Sequence, residues 1–309
     1  MRATFIRTLG DLAERDERIL FLTGDLGFSV VEPLAARIGR RFINVGVAEQ
    51  NMVGLATGLA EAGFIPFVYS IATFASLRPY EFIRNGPLLH NLPVRIIGVG
   101  GGFEYGTAGS THHALEDLGV MRLQPGLRVI APADFQQTAT ALNATWDLPG
   151  PTYFRIGKDE QTVVPGLDGR FELGRIQRVH PGHEVLLIAV GSIAAEVVAA
   201  AAEVTAHGIA CGALIVDCLN PAPIDDLVAE LAGCRLAVTV EAHYVTGGLG
   251  SLVSEIVTEH GIGCRVLRRG ISRVPDGVSG SERYLLDRHG LSRAAIVQAT
   301  LGSRELIIG

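Results

Sequence analysis

The chain has 309 residues, 48% of them hydrophobic and 19% charged, which is enough apolar material for the cores of two ordinary domains. A net charge of −6 without any basic run excludes nucleic acid as an expected partner. Charged, Gly or Pro residues interrupt every long apolar stretch and no signal-peptide core follows Met1, so we expect a cytoplasmic protein without a membrane contact.

The first half of the chain alternates between strand-like and helix-like patterns. Because strands that alternate with helices form parallel sheets with right-handed crossovers, we predict an α/β domain over residues 1–157. Gly100–Gly102 follow a strand without the GxGxxG pattern of dinucleotide-binding folds, and we interpret them as a flexible active-site loop. The predicted strands are 19–23, 64–68, 94–99, 128–132 and 152–156, and the predicted helices are 8–15, 52–63, 73–85 and 134–146.

The second half repeats this alternation on a smaller scale. Residues 158–183 are polar with Gly and Pro, which indicates a linker, and a second α/β domain is predicted over residues 184–309. Its predicted strands are 185–190, 211–216 and 236–240, and its predicted helices are 192–207, 224–231 and 247–260. Scattered cysteines without a CxxC pair predict reduced, structural thiols rather than a metal site; they are Cys211, Cys218, Cys234 and Cys264.

Glu49 is the most informative residue of the chain. It follows the short apolar run 42–47 and precedes the Gly/Ala-rich helical stretch that starts at Met52. A lone buried carboxylate without a cation is costly to keep ionised, and a carboxyl that stays protonated can donate to a ring nitrogen. The alternative is a solvated glutamate at a helix N-terminus, which the helix dipole favours. Spacing alone favours this alternative.

The motifs around Glu49 reverse that preference. They are Gly24-Asp25-Leu26, Gly46-Val47-Ala48-Glu49-Gln50, Thr73-Phe74, Thr111-His112 and Arg155. In this order and spacing the chain resembles the pyrimidine-binding half of transketolase. The similarity runs on into the C-terminal domain of that family. There the resemblance implies that segments 239–243, which include His243, and 247–250 mainly build the subunit contact. The resemblance implies the C-terminal subunit of a split transketolase: a parallel-sheet thiamine-diphosphate-binding (pyrimidine) domain followed by a smaller α/β transketolase C-terminal domain.

The resemblance implies thiamine diphosphate as cofactor and assigns residues to it. Glu49 would give a proton or a strong hydrogen bond to the far nitrogen of the aminopyrimidine, and Phe74 would stack on that ring. Leu77 stands where the family has an aromatic residue. The alternative role of Phe74 is ordinary core packing, and the alternative role of Asp25 is that of a helix N-cap. The implied cofactor contacts are Asp25, Val47, Glu49, Phe74, Leu77 and Tyr80.

The resemblance also assigns substrate contacts. His112 matches a histidine that faces the reacting carbon, where a neutral imidazole suits proton transfer. Ser29 and Arg155 match residues that bind the substrate phosphate. A guanidinium can bind two phosphate oxygens through two parallel hydrogen bonds. An interdomain ion pair is the alternative for Arg155.

Two departures and one missing segment qualify the resemblance. Ala108 stands where the family has an aspartate that holds a sugar hydroxyl, and Gly100–Gly102 replace an upstream histidine, so we expect an unusual acceptor. The Gly-Asp-Gly segment and downstream Asn that bind diphosphate and Mg²⁺ in the family do not occur here. The resemblance therefore implies a separate N-terminal, diphosphate-binding subunit that holds Mg²⁺, in an α2β2 assembly, with no metal ligand from this chain.

The activity implied is transfer of a two-carbon ketol unit from a ketose phosphate to an aldehyde. The Ala-Glu-Gln signature also occurs in deoxyxylulose-phosphate synthase and in the beta subunit of 2-oxoacid dehydrogenase E1, so subunits of those enzymes remain alternatives. Release of CO₂ from pyruvate distinguishes them. A non-catalytic scaffold subunit is a third alternative, against which the presence of Glu49 argues.

Overall fold

Two β-sheets organise the chain in the computed structural model, which describes residues 1–308. The elements of the first half are α1 (Arg2–Arg15), β1 (Ile19–Thr23), α2 (Glu32–Ile38), β2 (Phe42–Asn44), α3 (Glu49–Glu61), β3 (Ile65–Ile71), α4 (Ala72–Leu77), α5 (Tyr80–Ile83), β4 (Arg95–Val99), α6 (Asp117–Arg122), β5 (Arg128–Ile130), α7 (Phe135–Thr145) and β6 (Thr152–Ile156). Those of the second half are β7 (Gln177–His180), β8 (Val185–Ala189), α8 (Ala194–Ala206), β9 (Cys211–Ile215), β10 (Cys218–Asn220), α9 (Ile224–Ala232), β11 (Leu236–Tyr244), α10 (Leu249–Glu259), β12 (Arg265–Ile271), α11 (Glu282–Arg288) and α12 (Arg293–Ile308).

The first sheet has the strand order β10-β5-β6-β4-β3-β1-β2 and is parallel except for β10. Strands β1, β4 and β6 are buried along their whole length, as expected for a parallel sheet covered by helices on both faces. This confirms the predicted α/β fold. β10 belongs to the second half of the chain but pairs antiparallel with β5, so the two halves share a sheet edge.

The second sheet has the order β12-β11-β8-β9-β7, and only β7 runs antiparallel to its neighbour. β7 lies within the predicted linker, residues 158–183, so the end of that segment is a sheet edge rather than a connection. The proposed boundaries at 157 and 184 remain predictions, and residue 309, where the second domain was predicted to end, lies outside the described residues.

One predicted helix is split in the structure, and two of the observed strands were not predicted, each for a physical reason. The helix predicted over 73–85 is split into α4 and α5, because Pro79 lacks a backbone N–H and its ring disfavours a continuous helix. β12 was not predicted because three arginines interrupt its apolar pattern; it lies at the edge of the second sheet. β10, only three residues long, offers too short a pattern to recognise.

All four cysteines are buried and none forms a disulfide within residues 1–308. Over the same residues, no helix has both the length and the apolar character needed to span a membrane.

Candidate active site

Four neighbouring strands of the first sheet, β4, β3, β1 and β2, end at the same edge. The segments that follow them, 100–116, 72–79, 24–31 and 45–48, carry six of the nine site residues predicted from sequence, and Glu49 and Tyr80 come directly after two of these segments. Ligands of open parallel sheets bind outside the carboxyl ends of the strands, so the topology itself gathers these residues at a ligand-binding edge.

Glu49 is the first residue of α3 and only 1% of it is exposed. The Ser70 hydroxyl donates to its Oε1 at 2.9 Å, and Arg78 Nη1 donates to its Oε2 at 2.8 Å. The sequence alone indicated no cation for this carboxylate, and the structure supplies one in Arg78. A charge-assisted hydrogen bond of this kind is what a buried carboxylate needs in order to stay ionised.

Arg78 links Glu49 to the other predicted catalytic residue through Phe74. Its guanidinium carbon lies 3.8 Å from the centroid of the Phe74 ring, and the His112 ring lies 5.1 Å from the same centroid at an interplanar angle of 67°. Thr111 Oγ1 lies 2.9 Å from His112 Nδ1. Glu49, Phe74 and His112 therefore form one connected site, and Phe74 is half-buried at its surface rather than in the core.

The remaining cofactor positions divide into exposed and anchored residues. Val47 is 71% exposed and Leu77 is 42% exposed, which leaves one exposed apolar side chain on each of the segments that follow β2 and β3. Tyr80 is anchored instead, because its hydroxyl donates to the Val120 carbonyl at 2.8 Å and accepts from Gln124 Nε2 at 2.6 Å. In this chain Tyr80 ties α5 to α6, and a contact with the coenzyme ring remains a prediction.

Asp25 and Ser29 lie in the loop after β1 and both have positive φ angles, 58° and 67°. Non-glycine residues adopt this region at a cost and often do so at functional sites. Asn44 Nδ2 donates to Asp25 Oδ1 at 2.9 Å, and the Asp25 amide donates to Asn44 Oδ1 at 3.1 Å. The alternative role of Asp25 as a helix N-cap is wrong, because α2 starts at Glu32 with Val31 as its N-cap. Both Asp25 and Ser29 remain accessible at the site edge.

Arg155 points into the chain rather than into the site. It donates to the Ala242 carbonyl at 2.7 Å, across the boundary between the two halves, and its Nε lies 3.6 Å from Asp117 Oδ2. Tyr153 donates to the same carboxylate oxygen at 2.7 Å. The predicted alternative, an interdomain ion pair, is wrong in detail: the ion pair with Asp117 lies within the first half, and the contact between the halves is the hydrogen bond to the Ala242 carbonyl. Binding of a substrate phosphate remains a prediction that requires Arg155 to leave these partners.

Gly101 explains why Arg155 can be buried there. A Cβ atom at position 101 would lie 1.7 Å from Arg155 Nε, so any side chain would displace the guanidinium. Gly102 and Ala114 exchange two backbone hydrogen bonds, and Gly100–Gly102 are all buried. The prediction of a flexible active-site loop is therefore wrong: these glycines are packed, because a side chain at 101 would displace the Arg155 guanidinium and one at 100 would meet the Tyr105 ring.

His243 is also an internal contact between the two halves. The Gly119 amide donates to its Nε2 at 3.1 Å, and the ring is 1% exposed. Glu241 nearby accepts from the Leu249 and Gly250 amides at the start of α10, both at 2.8 Å, and its burial raises the pKa of that carboxyl. In this structure His243 thus joins the two halves of one chain, and the predicted contact between subunits remains a prediction.

Replacing Arg155 by Met is expected to lower the free energy of unfolding by about 3–5 kcal/mol, because Asp117 keeps its burial but loses its cation. Arg155→Lys should retain part of that stability. Arg18→Met is the matched control: Arg18 is 57% exposed in its pair with Asp16, so its loss should cost less than about 1 kcal/mol. Urea unfolding measures all three, and equal costs for Arg155→Met and Arg18→Met would contradict the buried-clamp geometry.

The site edge is open, and the chain provides no evident metal centre there. A cavity of about 980 Å³ lies elsewhere, lined by residues such as Glu104, Ser192 and Glu282, and none of Glu49, Phe74 or His112 lines it. Within residues 1–308 there is no cluster of three His, Cys, Asp or Glu side chains suited to a metal ion.

Comparisons with known proteins identify related domains and related subunits. The family model for the transketolase pyrimidine-binding domain matches residues 1–162, and that for the transketolase C-terminal domain matches residues 174–296. A putative transketolase C-terminal section of Methanocaldococcus jannaschii is 34% identical over 96% of this chain and 94% of its own length. A 6-deoxy-6-sulfo-D-fructose transketolase subunit, SqwH of Clostridium sp., is 33% identical over 97% of this chain and 92% of its own length.

Two further matches concern separate subunits. One of the subunits of an apulose-4-phosphate transketolase from Actinobacillus succinogenes is 31% identical over 88% of this chain and 87% of its own length. A solved structure described as a split gene transketolase, inactive beta4 tetramer, aligns with a TM-score of 0.88 and 33% identity over 99% of this chain and 98% of that one.

Proposed function

Because this chain belongs to the transketolase family and matches the separate C-terminal subunits of split members, we propose that it is one subunit of a two-component ketol transferase. The reaction is the thiamine-diphosphate-dependent transfer of a two-carbon ketol unit from a ketose phosphate to an aldehyde. The observation that carries the proposal is the connected arrangement of buried Glu49, half-exposed Phe74 and His112 at the carboxyl edge of the sheet.

The residues present fit the pyrimidine half of the coenzyme. When bound, thiamine diphosphate supplies the nucleophilic carbon that breaks and makes the carbon–carbon bond. Glu49 offers a buried carboxyl that can hold a proton against a ring nitrogen, and Ser70 fixes its orientation. Phe74 offers an aromatic face, with Val47 and Leu77 as exposed apolar neighbours. His112 is close enough to Phe74 to meet a substrate oxygen at the same site.

The diphosphate half needs a second polypeptide. Mg²⁺ and a diphosphate require clustered oxygen ligands, and the part of the chain that the structure describes has no such cluster of acidic and histidine residues. The full-length matches to separate transketolase subunits support a partner that holds the diphosphate and Mg²⁺. We propose an α2β2 complex with the coenzyme at the boundary between unlike subunits.

The acceptor is proposed to differ from the usual sugar phosphates. Ala108 cannot hold a hydroxyl as an aspartate would, and Arg155 is occupied by Asp117 and the Ala242 carbonyl. The relatives named above include subunits for apulose 4-phosphate and for a sulfonated fructose, so subunits of this kind serve more than one substrate class. A modified sugar or a carrier-bound aldehyde fits the altered contacts.

The test is a substrate screen on the complex of this chain with its diphosphate-binding partner subunit. Ketose phosphate donors are combined with ribose 5-phosphate, erythrose 4-phosphate and a panel of modified aldehydes, and two-carbon transfer is followed by mass spectrometry. We expect transfer without CO₂ release and a modified aldehyde as best acceptor. CO₂ release from pyruvate would instead indicate the 2-oxoacid or deoxyxylulose-phosphate-synthase-like alternative, and ribose or erythrose phosphate as best acceptor would contradict the altered acceptor.

A further inference from the structure

Arg78 occupies the two surfaces that the proposed function assigns to the coenzyme ring. Its Nη1 lies 2.8 Å from Glu49 Oε2 and its guanidinium carbon lies 3.8 Å from the Phe74 ring centroid. A guanidinium and an aminopyrimidine are both flat groups that carry N–H donors at their edge. Both therefore suit a site made of one carboxylate and one aromatic face, and they cannot occupy it together.

We propose that Arg78 is a displaceable plug of the coenzyme site: it fills the empty site by pairing with Glu49 and Phe74, and it leaves when the coenzyme ring enters. This inference rests on the proposed function, and it adds a residue that competes with the coenzyme instead of binding it.

The position of Arg78 allows such an exchange. It is the C-cap residue of α4, directly before Pro79 breaks the helix, and its side chain is 39% exposed. Glu49, by contrast, is 1% exposed and is also held by Ser70. The arginine can therefore swing into water, where a guanidinium is readily solvated, while the carboxyl stays in place.

The plug also stabilises the empty subunit. A buried carboxylate that loses its cation is destabilised, so the pair with Arg78 stabilises the subunit while the coenzyme is absent. With the arginine gone, Glu49 would need another positive partner, and a proton shared with a ring nitrogen of the coenzyme would supply it. Coenzyme binding should therefore be accompanied by proton uptake from the solvent.

Competition of this kind lowers the apparent affinity for the coenzyme, because only molecules in which Arg78 has left the site can bind it. The apparent affinity is the intrinsic affinity multiplied by the fraction of such molecules. One charge-assisted hydrogen bond and one cation–π contact are lost on opening. Contacts of this strength reduce the affinity about tenfold, so removing the plug should restore about that factor.

The experiment compares wild type, Arg78→Met, Arg78→Lys and Arg84→Met in the complex with the diphosphate-binding subunit. Arg84 is an exposed arginine six residues further along and serves as the matched control. Calorimetric titration with thiamine diphosphate at saturating Mg²⁺, in two buffers of different ionisation enthalpy, gives the dissociation constant and the protons taken up. Circular dichroism checks the fold of each variant.

Arg78→Met is expected to bind thiamine diphosphate about tenfold more tightly than wild type and to take up fewer protons. Arg84→Met should match wild type, and Arg78→Lys should fall between, because an ammonium keeps the charge but lacks the flat face. If Arg78→Met does not fold, the lysine variant decides the question in the same way.

Equal or weaker binding by Arg78→Met, with an unchanged number of protons taken up, would overturn the plug. The same result from the lysine variant would do so if Arg78→Met does not fold. Arg78 would then either bind the coenzyme or have no part in its binding. Failure of the wild-type complex to bind thiamine diphosphate at all would be a different result, because it would remove the proposed function and this inference with it.

Discussion

Glu49→Gln in the reconstituted complex should reduce turnover by at least about 10²–10⁴-fold, because an amide cannot exchange the proton that the coenzyme ring nitrogen needs. The fold should change little, since glutamine has nearly the same volume and its carbonyl oxygen can accept one of the two hydrogen bonds that Ser70 and Arg78 donate. Steady-state transfer rates and a thermal melt measure the two effects separately.

Glu61→Gln is the matched control for this substitution. Glu61 is the last residue of the same helix, α3, and is exposed to solvent, so its neutralisation should leave both turnover and melting temperature near the wild-type values. Full activity of Glu49→Gln would favour a non-catalytic scaffold subunit.

The isolated chain is expected to show no measurable turnover and to bind thiamine diphosphate poorly. Ring contacts alone leave the charged diphosphate without ligands, and among residues 1–308 no metal-ligand cluster replaces them. The measurement is a titration of the diphosphate-binding subunit into a fixed amount of this chain, with transfer activity as the readout.

Activity in that titration should rise from zero and saturate at one partner per chain, as an α2β2 complex requires. An unrelated acidic protein of similar size serves as the control for crowding. Turnover by the isolated polypeptide would contradict a coenzyme shared between subunits.

The parallel sheets were predictable from sequence because their strands are continuous apolar runs. β1 and β4 match their predicted ranges closely, since full burial selects Val, Ile, Leu and Phe, which occupy seven of their ten positions. Glu49 stands out as a carboxylate directly after an apolar run, but spacing alone favoured a solvated glutamate at a helix N-terminus, so its role also needed the family resemblance. The assignment of Phe74 and His112 needed the family resemblance, since each alone is an ordinary residue.

The contacts of the arginines were not predictable. Arg78 pairs with Glu49 across 29 residues, and Arg155 reaches a carbonyl 87 residues away, so both partners are set by the packing of distant elements. One signal was available for Arg78: a buried carboxylate requires a cation, and this arginine directly follows Leu77 in the predicted site. For Arg155 the signal was weaker: Gly101, within a glycine triplet, lacks the side chain that would fill the space of the guanidinium.

The most direct measurement is a structure of this chain in complex with its diphosphate-binding subunit, thiamine diphosphate and Mg²⁺. We predict the Glu49 carboxyl within about 3 Å of a pyrimidine ring nitrogen, the ring against Phe74 and the diphosphate on the other polypeptide. A coenzyme whose ring lies away from Glu49, or one held entirely by a single subunit, would contradict the account.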